Sequence, residues 1–196
     1  MASALAIAAV AAHAADPPPS VPAAMLMFAS GPASVTSKSG RSALLLKGGP
    51  VRPGDVIRTG AGTRAQLRFG DGSYLSLFPG TDLKLDAYRF GDVPKASELA
   101  LFTLYRGGAR FQTGSIGRSP GSTFRVSTAV AAVDGAACEF VAIAGDRLQV
   151  RVGAGRITIR NKAGVLTVNA GQRALVATPD SPPYLIGTLV PERIAP

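Results

Sequence analysis

The sequence predicts an all-β fold, a two-layer antiparallel sandwich or β-roll of many short strands joined by Gly, Asp and Asn turns. Three observations predict it. Apolar and polar residues alternate at a period of two. Turn residues recur about every ten residues. No segment carries a sustained helical period. The chain has 196 residues, with 46% hydrophobic residues, 23 Gly and 15 Pro. That is enough for one domain with its own core, broken by many turns.

The N-terminus reads as a signal peptide over residues 1–14, MASALAIAAVAAHA. A small apolar run leads to Ala12-His13-Ala14, a small-x-small pattern that places cleavage after Ala14. No Lys or Arg precedes the run, and the run is too short to span a bilayer. Residues 15–28 form a Pro- and Ala-rich spacer, opened by DPPPSVP at Asp16–Pro22. The β domain is expected over 29–178, and residues 179–196 form a C-terminal tail. The chain is expected to be exported. No segment of the mature chain is long and apolar enough to form a membrane helix.

Within the domain, TRAQLRF (Thr63–Phe69) sets Ala65, Leu67 and Phe69 on one face and Arg64, Gln66 and Arg68 on the other. After Gly70-Asp71-Gly72 the alternation resumes, with Leu75 and Leu77 opposite Tyr74, Ser76 and Phe78. Period-two runs around such a turn predict a hairpin. Gly70 and Gly72 are expected to supply unusual backbone angles, and Asp71 to bond its local backbone. Further on, RLQVRV (Arg147–Val152) and RITIR (Arg156–Arg160) flank Gly153-Ala154-Gly155, read as another turn. VLTV (Val165–Val168) and Arg173–Ala177 continue the meander. Gly60-Ala61-Gly62 and Gly153-Ala154-Gly155 each precede a strand with two Arg four apart, which hints at an internal repeat, or at convergent turn chemistry.

The residue inventory restricts catalysis. The mature chain has no histidine, because His13 leaves with the signal, and its one cysteine is Cys138. Ser73 therefore lacks the usual general base, and Cys138 lacks a His partner. A single Cys without His cannot assemble an ordinary zinc set. Calcium needs several clustered carboxylates, and Asp71 has no acidic neighbour before Asp82. The expectation is no enzyme, no catalytic residue, no metal and no cofactor.

A surface remains. The net charge is +9, and 16 of the 21 basic residues are Arg. Arg64 with Arg68, Arg147 with Arg151, and Arg156 with Arg160 each lie four apart on a strand's polar face. If RLQVRV and RITIR pair, several guanidinium groups crowd together, which is unfavourable. Either they splay into solvent or something anionic compensates them. Few aromatics interleave with them, which disfavours nucleic acid. The partner is expected to be an envelope protein, or an anionic envelope polymer such as lipopolysaccharide or peptidoglycan.

An ordered set of motifs resembles the FecR domain. LKGGPVRPGDVIRTG (Leu46–Gly60) matches that family's opening run, and AQLRFGDGSYLSLF (Ala65–Phe78) its strand, Asp-Gly-Ser turn and strand. DAYRF (Asp86–Phe90), LYRGGARFQTG (Leu104–Gly114), Ile116-Gly117-Arg118 and FRVST (Phe124–Thr128) follow in family order. The likeness spans roughly residues 29–178. The resemblance implies a periplasmic, non-enzymatic β domain, of the stand-alone secreted kind. In the regulators that name the family, such a domain senses a receptor and controls a sigma factor through a membrane helix. Iron sensing is not carried over. Its motif residues Gly54, Asp55, Thr59, Gly60, Asp71, Gly72 and Ser73 are expected to shape turns. One stretch departs: where the family often has Ile-Gly-Val-Arg-Gly-Thr-Glu-Phe, this chain has VDGAACEF (Val133–Phe140).

Overall fold

The computed structural model describes residues 21–188. The expected signal peptide and the end of the expected tail lie outside the described residues. The described chain is all-β and mostly antiparallel. Its N-terminal half holds β1 (Ala24–Ala29), β2 (Ala33–Thr36), β3 (Ser42–Leu44), β4 (Pro50–Val51), β5 (Val56–Thr59), β6 (Ala65–Phe69), β7 (Tyr74–Leu77) and β8 (Asp82–Arg89). Then come β9 (Leu99–Gln112), β10 (Thr123–Ser127), β11 (Ala132–Ala144), β12 (Leu148–Asn161), β13 (Gly164–Asn169), β14 (Gln172–Val176) and β15 (Tyr184–Thr188). Lys95–Ser97 and Ile116–Arg118 form single 3-10 turns.

These strands join one hydrogen-bonded network, whose main path runs β15-β14-β12-β11-β10-β9-β7-β6-β1-β4. β13 branches from β12, and β8, β5, β2 and β3 branch from β9. The β9–β10 pair is parallel. β15 and all of β1 but its last residue lie outside residues 29–178, yet both strands are paired into the sheet.

Most strands are short, but β9, β11 and β12 run 14, 13 and 14 residues. Each changes partners midway. The first half of β9 pairs with β8 and β10, the second with β7 and β11. β11 leaves β10 for β9, and β12 goes from β14 to β13. At each change stands a residue with positive φ: Gly107 (83°), Ala137 (45°) and Gly155 (71°). Such a residue lets a strand bulge and re-aim its side chains.

Gly153-Ala154-Gly155 is therefore no hairpin turn. Arg147–Val152 and Arg156–Arg160 belong to one strand running past β11, and do not pair with each other. The reason is local: β11 carries its own irregularity at Ala136–Glu139, so the two bulges face each other. A Cβ on Gly155 would lie 2.3 Å from the Ala137 carbonyl oxygen, so glycine is required there for space as well as for φ.

The alternation seen in sequence becomes burial. Ala65, Leu67, Phe69, Leu75, Leu77, Leu148, Val150, Val152, Ile157 and Ile159 all face the core. One cluster extends from Ala23 to Val176. Its aromatic spine links Phe69, Phe102, Phe111, Phe124 and Phe140, and Phe111 stacks on Phe140 with ring centroids 5.0 Å apart. Each such side chain stabilises the fold by about 1.5–3 kcal/mol through burial.

Candidate functional site

The β6–β7 turn is a buried polar hub. Asp71 and Ser73 are 5% and 3% exposed. The Ser73 hydroxyl donates to Asp71 Oδ2 at 2.6 Å and accepts from the Gly114 N–H at 2.8 Å. Asp71 Oδ1 accepts from the Ser73 N–H and from the Tyr88 hydroxyl. Its Oδ2 also receives the Ile116 N–H, and its carbonyl that of Ser115. The Tyr88 hydroxyl in turn accepts from the Asp71 N–H. Burial beside this carboxylate pushes the Tyr88 phenol well above its ordinary pKa.

Gly72 has φ 82°, as the turn requires. Gly70 does not adopt positive φ. A Cβ there would stand 3.5 Å from the Tyr88 hydroxyl, an ordinary van der Waals contact, so neither φ nor space demands glycine at this position. The hub thus clamps the hairpin to β8 and to the segment after β9. It presents no exposed nucleophile.

The other motif residues bond in the same manner. Gly54 has φ 95°, and its N–H meets the Leu85 carbonyl. Asp55 Oδ2 accepts the Arg52 N–H at 2.8 Å, closing a turn on itself. Desolvation raises the Asp55 pKa, against the opposing pull of Arg52. The Thr59 hydroxyl donates to the Phe78 carbonyl and accepts from the Thr81 N–H. Gly60 bonds Pro32, Thr63 and Gly80 through its backbone. Cys138 is 5% exposed, and burial pushes its thiol up to about 11. Among the described residues no group of three or more His, Cys, Asp or Glu side chains is placed to hold a metal ion. No described helix is long and apolar enough to cross a membrane.

The six arginines singled out in the sequence do not form one cluster. Arg64 lies over the Phe78 ring, its guanidinium carbon 5.4 Å from the centroid. Arg68 stands opposite Tyr74, at the far end of β6. Arg147 is at the tip of the β11–β12 hairpin, beside Asp146. Arg156 and Arg160 sit past the β12 bulge. Arg160 Nε is 3.0 Å from Asp134 Oδ2, and Arg125 Nε is 2.6 Å from Asp134 Oδ1. Asp134 is one of the departures from the family pattern, and here its single carboxylate is shared by two arginines.

Arg151 has a different neighbour. It stands directly across from Arg173 of β14, and one strand beyond Val141 the same row reaches Arg110. Sequence reading missed Arg173 and Arg110, because their proximity comes from strand register. The signal available in sequence was weak: both are polar-face positions of alternating segments.

Comparison with known proteins gives the same fold. Two crystal structures of a candidate anti-sigma factor from Parabacteroides distasonis ATCC 8503, at 2.50 and 1.65 Å, superpose with a TM-score of 0.56 at 20% identity. Each match covers 68% of this chain and 59% of that one, so the chain spans less than two thirds of those relatives' length. No curated protein matches. The model of the FecR protein family matches residues 55–158, which contain the Asp-Gly-Ser hub, β9 and the paired bulges; with over half its length matched, the chain belongs to the FecR family.

Proposed function

We propose that the chain is an exported periplasmic FecR-domain module that binds or senses a partner in the cell envelope and carries out no chemistry of its own. The observation that carries this reading is the FecR match over residues 55–158. The buried hub supports it: Ser73 and Asp71, the residues most like a catalytic pair, are consumed in holding three chain segments together. The motif residues Gly54, Asp55, Thr59, Gly60, Asp71, Gly72 and Ser73 then serve the fold. Function falls to the surface.

The test is fractionation of cells making the full chain. The protein is expected in the periplasmic fraction, with a mature N-terminus at Ala15. A cytoplasmic protein retaining residues 1–14 would overturn export. Cross-linking in envelope extract should then return one stoichiometric protein, and recovery of none would overturn the binding role.

A second reading has its own observation. Arg151 and Arg173 face each other without an acidic partner among the described residues, as a site for an anionic envelope polymer would. Retention on lipopolysaccharide or peptidoglycan should then weaken steeply with salt. Salt-independent retention would dismiss it.

A further inference from the structure

The outward face of β15, β14, β12, β11, β9 and β7 carries two rows of side chains running across the strands. The register aligns Arg173, Arg151, Val141 and Arg110 in one row. Two residues along each strand, it aligns Tyr184, Leu175, Gln149 and Ile143 in the next. The rows are about 7 Å apart, from the rise of two strand residues. The second row continues through Gly108 to Phe78. A Cβ on Gly108 would lie 2.7 Å from Phe78 Cδ2 and 3.4 Å from Ile143 Cγ1, so these two side chains close over the glycine. Tyr184 and Ile143 are each 47% exposed. A cationic row therefore runs beside a row that is apolar except at Gln149.

Two of the three arginines in the cationic row are uncompensated from within. Like charges directly opposed across strands cost stability. Arg151 and Arg173 are so opposed, and neither has an ion-pair partner among the described residues. The nearby acid, Glu139, is taken by Arg110, with Oε1 2.8 Å from Nη2.

We propose that this face docks an acidic amphipathic helix of a partner protein, with carboxylates on Arg151 and Arg173 and apolar side chains along Tyr184, Leu175, Ile143 and Phe78. Guanidinium groups recognise carboxylates through paired hydrogen bonds. Five interstrand steps from β15 to β7 span about 24 Å. That is the length of a helix of about 16 residues. Helix neighbours at i, i+3 and i+4 are about 5–6 Å apart, close to the interstrand spacing. A glycan would supply the charge but leave the apolar row unmatched. An added strand would use a sheet edge rather than this face. The assignment rests on the binding-module reading above.

The probe is a labelled synthetic 16-residue helix with Glu along one side and Leu along the other, titrated into the full chain by fluorescence anisotropy. Saturable binding is expected, weakened at least tenfold by Arg151→Glu, by Arg173→Glu and by Ile143→Asp. Arg41→Glu, in the β2–β3 turn, should leave it unchanged. Arg173→Glu turns a like-charged cross-strand pair into an opposite one, so its melting temperature should hold or rise. Lost binding in that variant is then not lost folding. Unchanged affinity in the three variants would overturn the proposal. So would equal binding of a control peptide with Ser in place of Leu, or preference for phosphatidylglycerol vesicles, which would assign the face to a polyanion or a lipid surface. An envelope partner that survives all three substitutions leaves the module reading standing and removes this face. Peptide binding as described, with no envelope partner for the wild type, does the reverse.

Discussion

Ser73 shows how far a residue's role depends on what reaches it from elsewhere in the chain. In sequence it follows a Gly-Asp-Gly turn, where a small polar residue is ordinary and replaceable. In the fold its hydroxyl bridges Asp71 and the Gly114 N–H, 41 residues away, inside the protein. Ser73→Ala should leave a buried N–H without its acceptor, at a cost of about 1–3 kcal/mol. Urea denaturation measures this, and an unchanged midpoint would contradict the hub. Cys138 is the complementary case, its small-residue character legible in sequence and its inertness set by packing. With the thiol pushed up to about 11 and 5% exposed, it should resist a thiol-specific disulfide reagent at pH 8 in the folded protein. The thiolate is the reactive form, so urea should release rapid labelling. Fast labelling without denaturant would refute the burial.

At the scale of elements, the three long strands depend on their bulges. Two of the three use glycine, which enters the left-handed region without a Cβ penalty. The third uses Ala137, the one non-glycine residue with positive φ among those described. In the resembling family motif, glycine stands at this place. The left-handed region costs a Cβ-bearing residue about 1–2 kcal/mol, and glycine's extra chain entropy returns part of that. Ala137→Gly should therefore stabilise the protein by about 0.5–1 kcal/mol. A lower melting temperature would show that the alanine side chain is needed. Periodicity on either side of Gly153–Gly155 was read correctly in sequence, with Leu148, Val150, Val152, Ile157 and Ile159 all buried. What failed was the choice between turn and bulge. Gly-rich triplets serve both, and only the facing irregularity in β11 decides.

For the whole molecule, the core ignores the limits of the family match. Residues 55–158 match the FecR model, yet Leu26, Ala33 and Leu45 before it, and Val168, Ala174 and Val176 after it, belong to the same cluster. A fragment of residues 55–158 would expose the strands that β1, β13 and β14 cover. It should lack a cooperative thermal transition by circular dichroism, whereas the full chain should show one. A cooperative fragment would mean that the flanking strands are accessory.

The sequence by itself determined the all-β class, the strand faces, the β6–β7 hairpin and the FecR likeness. These follow from side-chain periodicity and turn chemistry, which act between residues close in the chain. Tertiary structure decided the buried hub, the single bulged β12, the pairing of Asp134 with two arginines, and the opposition of Arg151 and Arg173. Each of these joins residues distant in sequence. They are settled by strand register, and register is a property of the folded core rather than of any one segment.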